Sequence, residues 1–261
     1  VVGAIIENAS FSPEEVTEIF EQQEKLDLTN GRRRKKVSIG LYDLKNLKPP
    51  FYFKAVDPVK TSFIPLKRDF PLSLKQILEE HEKGIGYAHL INKHAKYPVL
   101  EDSRGQILSL VPIINNIASA VTDDTKSFFI DHTATDFHAA NAALNILCQD
   151  FTDAGARVKT VEVVYPTKSF TTPDYSGEKM FLPLDKANKN LGIELTPKQA
   201  ITCLEKQRIT AREKKTGVLE CSVPAYRADF LHWMDLVEEL ALGYGYNSFK
   251  PKKPSVFTKG E

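Results

Sequence analysis

Towards its C-terminal end the chain reads YRADFLHWMDLVEELALGYGYN, Tyr226 to Asn247, and this short stretch carries four carboxylates: Asp229, Asp235, Glu238 and Glu239. Residues three and four apart on a helix are neighbours, so Asp235 faces both glutamates. Each exposed like-charge pair of this kind costs about 0.2–0.5 kcal/mol. The cluster calls for a cation, and Arg227 is a local candidate. A structural account stands beside it: acidic residues in a first turn complement the helix dipole, and Asp229 can serve as an N-cap. Trp233, Leu236, Val237, Leu240, Ala241 and Tyr244 fall on one stripe, which predicts a helix with a core face and with Asp235, Glu238 and Glu239 on the other side.

A second charged group is the basic run GRRRKK, whose Arg32, Arg33, Arg34, Lys35 and Lys36 precede the alternating strand VSIGLY. Such a run can touch nucleic-acid phosphates, which position a substrate without reading its sequence; it can equally be a solvated loop.

The elements that must position these groups are marked by local signals. Three capping boxes open helices: Ser12-Pro13-Glu14-Glu15, Ser73-Leu74-Lys75-Gln76 and Thr196-Pro197-Lys198-Gln199. Their apolar faces are Val16, Ile19 and Phe20, then Leu74, Ile77 and Leu78, then Ala200, Ile201 and Leu204. Asp136 caps a long helix with Ala140, Ala143, Leu144, Leu147 and Phe151 inward and Gly155 closing it. Val1–Asn8, SFFIDHT and RVKTVEVVYP read as strands, and YPVLEDSRGQILSLVPIIN as strand, turn at Asp102–Gly105, strand and loop. NLKPPFYFKAVDPVKTSFIPL reads as extended or looped chain, and TKSFTTPDYSG as a linker between two domains. Beyond it, helices with a KKTG-turned ribbon form a winged-helix pattern. The fold class expected is α+β: a mixed α/β domain with a central sheet over residues 1–168, then a smaller winged-helix-like domain over 169–250.

A length of 261 residues accommodates two domains with cores of their own, and 42% hydrophobic with 26% charged residues is the balance of a folded globular chain. A net charge of +1 excludes a global bias towards nucleic acid, so any such contact is local. No apolar run is long enough to span a bilayer and no secretory leader is evident, so no membrane association and a cytoplasmic location are expected. Cys148, Cys203 and Cys221 lack metal-type spacing and are expected as buried thiols. The opening VVGAIIEN and the closing PSVFTKGE suggest a piece of something longer.

An ordered set of segments resembles the beta chain of phenylalanyl-tRNA synthetase of the archaeal and eukaryotic cytosolic type: QEKL, GRRRKKVSIGLYDL, PPFYFKAVDP, FIPL, YPVLEDSRGQILSLVPIIN, SFFIDHTATDF and ALNIL. LGIELTP, VPAYRADFLHWMDLVEELALGYGYN and PSVFT follow in the same order. The resemblance implies that residues 1–168 are most of a domain that hydrolyses tyrosine wrongly attached to tRNA(Phe). It implies that 169–250 form the next, winged-helix-like domain, and that 251–261 lead to a core domain beyond this chain. Aminoacylation belongs to the alpha chain, the partner in a heterotetramer. The resemblance also assigns Asp229, Asp235, Glu238 and Glu239 to a Mg²⁺ shared with the alpha chain, weakly held or absent in this piece; oxygen-only ligation suits that hard cation.

The same resemblance places a tyrosine pocket around Leu100, Ser109, Asn115, Asp131 and Thr133. Leu100 would be an apolar wall; Ser109, Asp131 and Thr133 offer acceptors or donors for the phenol, with the choice among them open. An apolar pocket cannot strongly reject a substrate that merely adds a hydroxyl, a discrimination of about 100-fold, whereas a pocket built to bond that hydroxyl can. No Ser-His-Asp set or zinc-spaced His pair is evident. His132 alternates to the sheet face opposite Asp131 and Thr133, which makes it structural, and positioned water helped by the tRNA's terminal hydroxyl is the expected means of hydrolysis. Three positions depart from the family pattern, which more often has His at Tyr42, Pro at Val111 and Gly at Ala134.

Overall fold

Three helices begin where a serine or threonine stands three residues before Glu or Gln. In the computed structural model, which describes residues 1–9 and 11–250, Ser12 Oγ accepts from Glu15 N while Glu15 Oε2 accepts from Ser12 N. The same reciprocal pair closes on Ser73 with Gln76 and on Thr196 with Gln199. Each box satisfies two backbone donors that a helix start would leave orphaned.

The chain divides into two units, Val1–Asp174 and a second from Tyr175. The first contains β1 (Val2–Glu7), α1 (Pro13–Leu28), β2 (Val37–Asp43), β3 (Tyr52–Val56), β4 (Ser62–Phe63), β5 (Leu72–Ser73), α2 (Leu74–Glu80) and α3 (Glu82–Tyr87). It continues with β6 (Tyr97–Glu101), β7 (Ile107–Leu110), β8 (Ile114–Asn115), β9 (Phe128–Ala134), α4 (Phe137–Asp153), β10 (Arg157–Tyr165) and β11 (Lys168–Thr172). A five-stranded antiparallel sheet runs β11-β10-β1-β9-β2, and a four-stranded one β3-β6-β7-β8. α4 lays its predicted face on the first sheet: Ala140, Ala143, Leu144, Leu147 and Phe151 are all buried, and Asp136 Oδ1 accepts from Ala139 N at its start. Gly155 just beyond it takes φ +87°, a conformation that favours glycine. On α1, Val16 is buried and Ile19 partly so, but Phe20 is exposed, so the apolar stripe is narrower than its spacing predicts.

The expected linker is partly strand. Lys168–Thr172 pairs with β10, and Thr172 Oγ1 bonds both the amide and the carbonyl of Gly3, at 3.0 and 2.7 Å. Those bonds carry the first unit past the boundary expected at residue 168, to Asp174.

The second unit is β12 (Glu178–Pro183), α5 (Leu184–Leu191), α6 (Pro197–Glu205), β13 (Thr210–Lys215), β14 (Val218–Val223) and α7 (Trp233–Tyr244). Its sheet runs β12-β14-β13, with the β13–β14 hairpin turned at Gly217, φ +73°. Leu182, Leu204, Ile209, Leu219, Leu236 and Leu240 form the centre of its own core. Helices flanking a ribbon match the winged-helix-like expectation. The proposed linker 251–261 lies outside the described residues. All three cysteines are buried and outside any disulfide, and among the described residues no helix is long and apolar enough to cross a membrane.

Candidate functional site

β2 and β9 pair antiparallel with Ser38 opposite Thr133, Gly40 opposite Asp131 and Tyr42 opposite Phe129. Paired residues share a sheet face, so Thr133 and Asp131 stand on the side that bears Ser38, Gly40 and Tyr42. In the second sheet, β7 and β8 pair Ser109 with Asn115. Together these strands line a cavity of about 240 Å³, to which Ser109, Asn115, Asp131, Thr133, Tyr42 and Arg34 contribute. That is below the roughly 300–1,000 Å³ usual for drug-sized ligands and suits an amino-acid-sized group.

The deepest polar contacts form a chain. Tyr42 Oη donates to Asp131 Oδ1 at 2.7 Å and lies 2.9 Å from Ser109 Oγ. Burial pushes Asp131 up to about 7, opposed by the Tyr42 hydrogen bond. Burial, with the Asp131 carboxylate beside it, also holds the Tyr42 phenol well above its usual range. Asn115 Nδ2 donates to the Leu41 carbonyl at 3.0 Å, which ties β8 to β2. His132 is buried with Nδ1 3.2 Å from the Ala140 carbonyl, and burial drops it to about 3. It therefore acts as a neutral packing residue.

The basic run splits in two. Arg32, Arg33 and Arg34 take φ of +48°, +55° and +63°, so the loop coils left-handed and turns Arg34 inward. There its Nη1 donates to the Pro112 and Ile113 carbonyls, at 3.1 and 2.8 Å, while Nε pairs with Asp27 at 3.1 Å. The guanidinium also stacks on Tyr87. Lys36 pairs with Asp136. Arg32, Arg33 and Lys35 stay exposed.

In the second unit the four carboxylates separate. Arg227 holds Asp229 through Nε and Nη2, at 2.9 and 2.7 Å, and reaches Glu239 Oε1 at 2.5 Å. Those hydrogen bonds, Asp229's first, raise the guanidinium's pKa and lower that of Asp229. Asp235 Oδ2 accepts from Leu231 N and His232 N, both at 2.7 Å, and caps α7. Glu238 is exposed. Among the described residues no three His, Cys, Asp or Glu side chains are grouped so as to hold a metal ion.

The model of the tRNA synthetase B5 domain matches residues 180–246. The phenylalanine–tRNA ligase beta subunit of Methanosphaera stadtmanae is 40% identical over 259 residues, 99% of this chain and 46% of that protein. That of Thermococcus sibiricus is 38% identical over 261 residues, all of this chain and 46% of its own. A crystal structure of an N-terminal fragment of the phenylalanyl-tRNA synthetase beta subunit from Pyrococcus horikoshii superposes with a TM-score of 0.90 at 37% identity, covering 94% of this chain and 70% of that one. The chain belongs to the phenylalanyl-tRNA synthetase beta-subunit family. It spans about half the length of the curated beta subunits it matches.

Of the five pocket residues expected for this beta chain, Ser109, Asn115, Asp131 and Thr133 line one cavity. Leu100 does not. It is buried with Leu47, Leu108, Val111 and Phe129 in an apolar cluster that includes Tyr42, and of that cluster Tyr42 and Val111 line the cavity. Arg34 is withdrawn from the expected phosphate contacts because it braces the Pro112–Ile113 segment. The Mg²⁺ set does not fit this arrangement: Arg227 neutralises Asp229 and Glu239, and Asp235 is occupied as a cap. Nor is Asp229 the N-cap of α7, a place His232 takes. Glu239 lies on the buried face rather than opposite it.

Tyr42 and Gly40 were not among the expected pocket residues, and Arg34 was expected at phosphates rather than in the cavity lining. For the first two the signal was the alternation of Ser38, Gly40 and Tyr42 along one strand face, which acquires meaning only when β9 is known to be the neighbour. Arg34 carried no local signal that distinguished it from Arg32 and Arg33.

Proposed function

We propose that the first unit hydrolyses the ester of wrongly charged tRNA, tyrosine on tRNA(Phe), and that the second supports assembly of the beta chain with its alpha chain. The observation that carries the proposal is the convergence of Ser109, Asn115, Asp131 and Thr133 on a single cavity of amino-acid size. The ligase active site is assigned to the alpha chain, so this piece alone makes no Phe-tRNA. His132 is turned away and neutral, which leaves a water held by the cavity's hydroxyls and carbonyls to attack the ester carbon, with the tRNA's own terminal hydroxyl assisting. Arg32, Arg33 and Lys35 supply phosphate contacts at the exposed loop that Arg34 roots in the cavity.

Deacylation tests it. Tyrosine should be released from Tyr-tRNA(Phe) above the spontaneous rate, in proportion to added chain, and tyrosine release indistinguishable from that rate at high concentration defeats the proposal. One observation favours a second reading, a non-catalytic structural module: the Tyr42 hydroxyl already sits on Ser109 and Asp131.

A further inference from the structure

The phenol of Tyr42 is bonded as a para-hydroxyl ligand would be. A phenol donates one proton and accepts at its oxygen. Here the proton goes to Asp131 Oδ1 at 2.7 Å, and Ser109 Oγ, at 2.9 Å, is left to donate to the phenol oxygen. The ring is 1% exposed and stacked on Phe129, with centroids 5.8 Å apart and planes 24° from parallel. Gly40, directly across from Asp131, makes the arrangement possible, because a Cβ at that position would run into Asp131 Oδ1 and Tyr42 Oη. A glycine two residues before the tyrosine on the same strand face thus lets the ring lean back over it to reach the carboxylate.

Building on the editing reading, we propose that Tyr42 is a specificity-determining residue: an internal phenol that fills the hydroxyl subsite a tyrosyl group would otherwise use. With Asp131 Oδ1 and Ser109 Oγ engaged, an incoming tyrosine finds no partner there for its own hydroxyl and gains nothing over phenylalanine at this pair. Because Tyr42 also lines the cavity, shortening it joins the space of its ring to the cavity and presents both acceptor and donor to a ligand.

The test compares the 261-residue chain with Tyr42→Ala, Tyr42→His and Tyr42→Phe. The wild type should bind free L-tyrosine and L-phenylalanine within about threefold of each other in calorimetric titration. Tyr42→Ala should prefer tyrosine by at least about tenfold, the discrimination of a hydrogen-bonded hydroxyl over an unpaired polar pair. Tyr42→His, whose smaller ring cannot span both partners, carries the same expectation where Tyr42→Ala does not fold. Tyr42→Phe keeps the ring in place and should gain no tyrosine preference. A chemical rescue provides an independent readout: p-cresol should raise the melting temperature of Tyr42→Ala more than toluene, which leaves Ser109 and Asp131 unpaired. A wild type that already prefers tyrosine tenfold overturns the inference, as does a folded Tyr42→Ala that treats p-cresol and toluene alike. Tyrosine preference in Tyr42→Ala without deacylation by any variant upholds the subsite and defeats the editing reading instead.

Discussion

Replacing Arg227 by methionine keeps an unbranched apolar stem and removes the guanidinium, which stacks on the Phe230 ring at 4.7 Å, together with its charge and hydrogen bonds. Glu239 is then left as a buried carboxylate without its cation. Its side chain is 7% exposed, whereas that of Arg227 is 27% exposed and that of Asp229 is 62% exposed. Breaking a fully buried pair costs about 3–5 kcal/mol. Partial access of water to the arginine lowers this to roughly 2–3 kcal/mol, and the exposed Asp229 arm adds no more than about 1 kcal/mol. At roughly 4–8 °C per kcal/mol for a domain of 60–100 residues, a total loss of about 2–4 kcal/mol should make the second unit melt about 8–32 °C lower in calorimetry. A double-mutant cycle assigns the loss. With Glu239→Gln already present, Arg227→Met should cost less than about 1 kcal/mol, because no buried charge remains to be orphaned. An equal loss in both backgrounds would refute the pairing. Millimolar Mg²⁺ should leave the wild-type transition unmoved; a rise would show that a metal, not Arg227, balances these carboxylates.

Two further outcomes concern the first unit. With Asp131 raised to about 7 by burial against an ordinary value of 3.8, the folded state keeps a proton that the unfolded chain gives up. That contribution to stability is complete below about pH 4 and fades as pH rises to about 7, so the stability difference between wild type and Asp131→Asn should fall across that interval and level off above it. Urea midpoints measured through the range decide, and a difference independent of pH contradicts the assignment. Arg34→Ala should destabilise by roughly 2–4 kcal/mol, since it orphans Asp27 and two backbone carbonyls. Arg32→Ala with Arg33→Ala should change stability by less than about 0.5 kcal/mol while lowering the salt slope of tRNA binding by about 1–2. The reverse pattern, in denaturation and filter binding at several salt concentrations, would defeat the division of this loop.

Helix starts were legible because both partners of each capping box lie in one turn, so Ser12, Ser73 and Thr196 report geometry that no distant contact can revise. The buried face of α4 was legible for a similar reason, a long 3.6-residue period with Gly155 to close it. The failures came where two elements meet. Leu100 and Tyr42 share one apolar cluster, and only the packing of residues from β6 and β7 with those of β2 and β9 decides that Tyr42 lines the cavity and Leu100 does not. Lys168–Thr172 is polar enough to read as linker, yet its pairing with β10 makes it an edge strand. Arg32, Arg33 and Arg34 are chemically identical in sequence, and a left-handed coil of the backbone selects which one is buried.

The two site expectations that changed most share a physical cause. Four clustered carboxylates do need positive charge, and a carboxylate beside a serine hydroxyl does need a donor and an acceptor; both demands follow from residue type and burial alone. Neither demand specifies its supplier. A buried polar group is satisfied by whatever lies within about 3 Å, and a side chain already tethered to the fold reaches it without the entropic loss of capturing a free ion or ligand. Arg227, 12 residues from Glu239 in the chain, and Tyr42, 89 from Asp131, meet that condition. An external cation or phenol must then displace a covalently held competitor, which sets the threshold that any ligand of either site has to exceed. Tyr42→Ala lowers that threshold at the cavity and Arg227→Met lowers it at the acidic helix, so ligand gained on removal of the internal partner, rather than ligand bound by the wild type, is the measurement that separates a concealed site from none.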